Sequence, residues 1–121
     1  MRDISKSIPK EDHVEKVSGK AIYVSDIKMD DMLFAKTVRS IHPKAQIENI
    51  EIPKLPKDYF IIDYKDIPGK NYVKMIFEDW PIFAENTVNY IGEPIMLVVG
   101  KDKEIINRII EHIKIEYKIL E

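Results

Sequence analysis

The sequence contains no cysteine. Disulfides, thiolate zinc sites, cysteine nucleophiles and cysteine-held iron–sulfur clusters are therefore excluded within this chain. Glycine is scarce, with four residues (Gly19, Gly69, Gly92 and Gly100) standing singly, so no glycine-rich phosphate loop exists. No serine sits in a G-x-S-x-G elbow. Excess charge is missing too: 19 Lys plus Arg against 21 Asp plus Glu leaves a net charge of −2. A chain with so little net charge and no basic stripe has no electrostatic footprint for nucleic acid. Long apolar runs are also lacking. The longest wholly apolar stretch, Ile95 to Val99, is far too short to cross a bilayer. The first twenty residues are mostly polar and offer no apolar core for a secretory signal. The expectation is a cytoplasmic chain without nucleic-acid or membrane partners.

What remains is a globular composition: 121 residues, 45% apolar and 33% charged. That is enough for one core and too short for two ordinary domains. Residues 1–18 carry charge, Pro9 and no periodicity, and read as an extended arm that needs something to lie against. From Gly19 onward, short strand-like runs follow one another: 21–24, 32–39, 47–52, 59–62, 72–77, 88–91 and 95–99. Two prolines make 53–57 a turn. Residues 63–70 read as one helical turn or a loop, and 78–81 as a loop.

The one strong helix is predicted over 103–113. Ile105, Ile106, Ile109, Ile110 and Ile113 form a single apolar stripe. Asp102 is placed to cap it, and Glu104 with Arg108 makes a favourable pair on the wet face. A strand over 114–119 follows, with Ile115, Tyr117 and Ile119 on one face and Lys114, Glu116 and Lys118 on the other. The pattern predicts an α+β domain over 19–121, with a mainly antiparallel sheet and this C-terminal helix packed on it.

Chemistry is hard to find. The three histidines, His13, His42 and His112, share no metal-ligand spacing and read as structural or solvent-facing. The carboxylate doublets Asp30-Asp31 and Glu78-Asp79 lie in polar loops, where desolvation does not lift a pKa toward neutrality. Val73-Lys74-Met75 is similar to the Met-Lys-Met hairpin of biotin carriers. Its first residue and its flanks differ, so an ordinary strand lysine explains it. No set of nucleophile, base and oxyanion donors can be assembled. The chain reads as a structural or binding module.

Several segments, taken in order, resemble the N-terminal domain of the molybdenum-binding subunit in the xanthine dehydrogenase and aldehyde oxidase family. They are Lys6-Ser7-Ile8-Pro9-Lys10, the run from Glu15 to Tyr23, and Asp26-Ile27. Met32-Leu33-Phe34-Ala35-Lys36 follows, and then Arg39-Ser40-Ile41-His42-Pro43-Lys44-Ala45-Gln46-Ile47, similar to the family's R-S-x-H-x-x-A-x-I run. Asp66-Ile67-Pro68-Gly69, Phe83-Ala84, the run from Val88 to Pro94, and Ile115-Glu116-Tyr117 complete the set. One departure is local: Asp58-Tyr59 stands where relatives carry Gly-Val after a longer turn.

The resemblance implies an α/β-hammerhead domain. It also implies that molybdopterin, iron–sulfur clusters and FAD belong to other parts of a parent enzyme. No cofactor, metal or catalytic residue is carried onto this chain, and no activity is expected of it alone. Its partners would be the molybdopterin-binding domains of the same subunit and the iron–sulfur and flavin subunits or domains. The alternative is a free-standing interaction or scaffold protein that reuses the fold. Four matched or neighbouring residues are candidates for an interdomain interface. Arg39 and His42 flank a strand-to-loop transition and either bond loop carbonyls or touch a neighbour. Trp80, beside Pro81, suits a contact if exposed and the domain's own core if not. Glu93, in a Gly-Glu-Pro turn, is expected to form an ion pair there.

Overall fold

A computed structural model describes residues 7–74 and 76–120. The backbone divides into two units, Met1–Asp30 and Asp31–Glu121.

In the first unit the expected extended arm contains a short helix, α1 (His13–Val17). Ser18 N–H bonds the Val14 carbonyl at 3.0 Å, and the Glu15 carbonyl takes the N–H groups of Lys20 and Ala21 at 2.9 and 3.0 Å. Lys16 also pairs with Asp12 one turn back. An isolated five-residue helix is too short for hydrophobic periodicity to reveal it. The strand expected over 21–24 is replaced by a single 3-10 turn at Val24–Asp26, held by the Asp26 carboxylate accepting the Tyr23 N–H at 2.9 Å. Neither element buries a residue.

The second unit carries all the strands found among the described residues. They are β1 (Phe34–Arg39), β2 (Ala45–Glu51), β3 (Phe60–Ile62), β4 (Tyr72–Val73), β5 (Trp80–Pro81), β6 (Thr87–Val88), β7 (Pro94–Gly100) and β8 (Lys114–Ile119), with α2 (Lys103–His112) between the last two. Every pairing is antiparallel, in three small sheets ordered β1-β7-β3, β6-β2-β8 and β4-β5. This is the α+β architecture that the sequence pattern predicts.

Strand β7 is the centre of its sheet because its five consecutive apolar residues can be covered on both faces. Ile95, Met96 and Val98 are at most 2% exposed. Helix α2 packs on β7 and β1. Of the predicted stripe, Ile106 and Ile109 are buried, while Ile105, Ile110 and Ile113 pack half-buried against the same core. Each buried isoleucine contributes about 1.5–3 kcal/mol before entropy is counted. The Asp102 carboxylate caps the helix, accepting the Glu104 and Ile105 N–H groups at 2.7 and 3.1 Å.

In the second sheet, Ile115 pairs with Ile50 and Tyr117 with Ile47. Ile119, expected on the same face, is exposed at the strand end. The strand expected over 72–77 pairs only through β4, and its partner is β5, inside the segment expected to be a loop. The Pro81 ring removes a ladder donor, which hides such a strand from pattern reading. Asp58, at the departure from the family pattern, has φ +65°. Glycine occupies that left-handed region at no steric cost, whereas Asp tolerates it better than most side chains.

Candidate interface

Strand β1 ends at a bulge between Val38 and Arg39, which turns Arg39 and Ser40 toward the 89–93 turn. Two backbone bonds close this junction: Ser40 N–H to the Glu93 carbonyl at 2.9 Å, and Gly92 N–H to the Ser40 carbonyl at 2.8 Å. Gly92 has φ +91°, a conformation that side chains disfavour. The Arg39 guanidinium donates to the Gly92 carbonyl at 2.7 Å. Of the two readings open for Arg39, the bond to a loop carbonyl is the one its geometry displays.

Ser40 is buried. Its hydroxyl donates to the His42 carbonyl at 2.9 Å and accepts the His42 N–H at 3.1 Å. The His42 ring stands edge-on to Tyr117, with centroids 4.8 Å apart and planes at 70°, a favourable aromatic arrangement. Burial pushes the Tyr117 hydroxyl pKa up from its ordinary value of 10.0, and a hydrogen bond with Ser40 pulls it partly back.

Glu93 is 1% exposed. Among the described residues it forms no ion pair. Its carboxylate instead accepts two N–H groups of Asn89, the backbone amide and, at 3.3 Å, the side-chain amide. The expected ion pair is thus replaced by an acceptor that ties the turn together. Turn donors satisfy a buried carboxylate where no cation is within reach.

Trp80 is 56% exposed, so of its two readings the buried one fails. It shares a depression of about 340 Å³ with Tyr90, Asn89 and Glu93. The structure therefore brings Trp80 and Glu93 to one place, while Arg39 reaches the same turn through Gly92. His42 lies on the other side of Ser40, against Tyr117.

Three residues that pattern reading does not single out complete this region. Asn71 clamps the hairpin to the body: its amide donates to the Phe83 carbonyl at 2.7 Å and to Glu85 at 3.1 Å, and accepts the Phe83 N–H at 3.0 Å. Ile76 and Phe77 are 82% and 72% exposed. The apolar character of that pair is visible in sequence, but a strand reading alternates the two between opposite faces and leaves at most one of them exposed.

Comparison with known proteins agrees with the fold. Residues 18–121 match the family described as "aldehyde oxidase and xanthine dehydrogenase, a/b hammerhead domain". The chain is 34% identical over 109 residues to a probable xanthine dehydrogenase subunit of Bacillus subtilis (strain 168), covering 88% of this chain and 15% of that protein. It is 32% identical over 121 residues to the nicotinate dehydrogenase large molybdopterin subunit of Eubacterium barkeri, covering 98% of this chain and 28% of that protein. Reconstituted CO dehydrogenase from Oligotropha carboxidovorans superimposes with a TM-score of 0.82 at 26% identity, over 93% of this chain and 15% of the matched one. The chain thus spans less than a third of the length of each of these relatives. It belongs to the aldehyde oxidase and xanthine dehydrogenase family, and what it carries is the α/β-hammerhead domain.

Proposed function

We propose that this chain is a non-catalytic structural module of a molybdenum hydroxylase of the xanthine dehydrogenase type. It contributes packing and interfaces around the molybdopterin-binding and redox modules, with residues 1–18 serving as an arm over a neighbour. In this reading the whole enzyme works in the cytoplasm and hydroxylates a purine or aldehyde carbon with water. The observation that carries it is the hammerhead match over 18–121 in a chain that spans only 15% of a probable xanthine dehydrogenase subunit and 28% of a large molybdopterin subunit.

The described residues offer no ready seat for a metal ion. Cysteine is absent, and among the described residues no three His, Asp or Glu side chains converge. The first amides of α2, the natural seat for a phosphate, are taken by the Asp102 carboxylate. In this reading the cofactors of the parent enzyme are held by its other segments.

Co-expression tests the proposal. The chain is produced with the molybdopterin-bearing and redox segments of its enzyme, and again with residues 1–121 removed. Molybdenum content and hydroxylase activity that need the chain support the module. Equal assembly and turnover without it would overturn the proposal in favour of a free-standing scaffold.

A further inference from the structure

Strands β4 and β5 pair through only two residues each, far less than an isolated hairpin needs to be stable in water. Yet this hairpin displays Val73, Ile76, Phe77 and Trp80 at 48–82% exposure, and Tyr90 and Ile91 of the neighbouring turn at 44% and 66%. Two depressions, of about 210 and 340 Å³, lie side by side here and share Asp79 and Trp80 as lining. Apolar surface gathered like this marks a contact site.

The two acidic residues of the hairpin are treated differently. Glu78 is fully engaged: the Tyr72 hydroxyl donates to it at 2.7 Å, and Lys74 and Lys70 pair with it at 3.3 and 3.8 Å. Asp79 forms neither a hydrogen bond nor an ion pair among the described residues, although it sits where the two apolar depressions meet. A carboxylate in that position opposes burial under any neutral apolar cover.

We propose that this hairpin surface docks an apolar protein surface that sets a basic side chain against Asp79, and that the partner is the molybdopterin-bearing part of the same enzyme. The partner's identity rests on the module reading above. Chain length points the same way, because most of each matched relative lies outside the region this chain covers. Charge argues against two other occupants. A second copy would bring another unneutralised Asp79 to the patch, since Lys70 and Lys74 are already committed to Glu78. An anionic lipid surface would meet the same carboxylate. Trp80 at the centre has the size and amphipathic character of a binding anchor.

The test uses the chain co-expressed with the molybdopterin-bearing segments, with the tag on the latter. Asp79→Asn, Asp79→Lys, Trp80→Ala and Phe77→Ala are compared with wild type and with Arg108→Ala, an exposed change on α2. Wild type and Arg108→Ala are expected to co-purify. Trp80→Ala and Asp79→Lys should each weaken the complex at least tenfold, while the thermal midpoint of the free chain stays unchanged because these side chains are exposed. Should a larger change unfold the chain, the nearly isosteric Asp79→Asn still discriminates, with a loss of severalfold in affinity and a weaker salt dependence. Equal retention of all variants overturns the docking surface and leaves the module proposal standing. Failure of wild type itself to be retained overturns the module proposal and the docking surface with it. A concentration-dependent dimer of the chain that Trp80→Ala abolishes assigns the patch to a second copy and overturns the proposal as stated.

Discussion

The carboxylate of Glu93 accepts the backbone N–H of Asn89 from inside the turn that the two residues close. Around this bond the end of β1, the 89–93 turn and the start of β7 are joined. Glu93→Ala leaves the Asn89 amide without its acceptor, and the expected cost is about 1–3 kcal/mol. Glu93→Gln keeps one acceptor oxygen and should cost less. Urea denaturation midpoints of the two variants check the order, and a larger loss for Gln than for Ala would contradict it.

Asn71 is the hinge pin of the hairpin. Asn71→Ala removes three hydrogen bonds to the 83–85 segment, and should free the hairpin before it unfolds the body. Trp80 is the only tryptophan, so intrinsic tryptophan fluorescence reports on this hairpin alone. The expected outcome is altered Trp80 emission and faster proteolysis within 72–81, with a global destabilisation of about 1–3 kcal/mol.

Gly100 is occupied space. A Cβ there would collide with atoms of the Tyr59 ring, and the Tyr59 hydroxyl accepts the Asp102 N–H at 3.1 Å. Gly100→Ala should destabilise by about 1–3 kcal/mol through overpacking. Removing the ring in Tyr59→Ala should absorb much of that cost, so a double-mutant cycle reads a coupling between two residues 41 positions apart in the sequence.

Tyr117 links pH to stability. Its folded pKa is raised above the ordinary 10.0, by burial first and against a weaker opposing bond with Ser40. The folded state therefore holds the phenol proton more tightly than the unfolded state does. The associated stability is complete below pH 10.0 and is lost as pH rises through the raised value. Denaturation series run upward from neutral pH should show a steeper alkaline loss for wild type than for Tyr117→Phe.

Legibility in the sequence follows the range of each interaction. The α2 stripe and its Asp102 cap are local, and period and cap chemistry announce them. Strand β8 alternates, and its Ile115 and Tyr117 meet Ile50 and Ile47 of β2 as half-buried pairs. By contrast, nothing near Glu93 signals that a carboxylate will be enclosed, because its partner Asn89 becomes a neighbour only once the turn exists. The contact of Tyr59 with Gly100 depends on β3 lying against β7, which no local pattern reports. Strand β5 is concealed by its own proline. The resemblance singles out Arg39, His42 and Glu93, and aromatic character adds Trp80; the structure sets Trp80 and Glu93 along one depression, with Arg39 bonded to the same turn and His42 apart against Tyr117. It also adds Asp79, which a polar loop context makes ordinary.

The pairing order of the strands has a consequence for biosynthesis. Among the described residues, strand β1 finds its only partner in β7, and β2 takes its longer pairing from β8, so both early strands wait for the last third of the chain. Val38 and Met96 pair across 58 positions. At about 5–20 residues per second on the ribosome, that separation is about 3–12 s during which β1 has no match, while β2 has at most its short pairing with β6. Non-local pairing of this kind is also slow to nucleate. Apolar segments such as Met32 to Val38 are then exposed to other nascent chains for seconds. Yield of the folded domain should accordingly depend more on translation speed and temperature than its small size suggests.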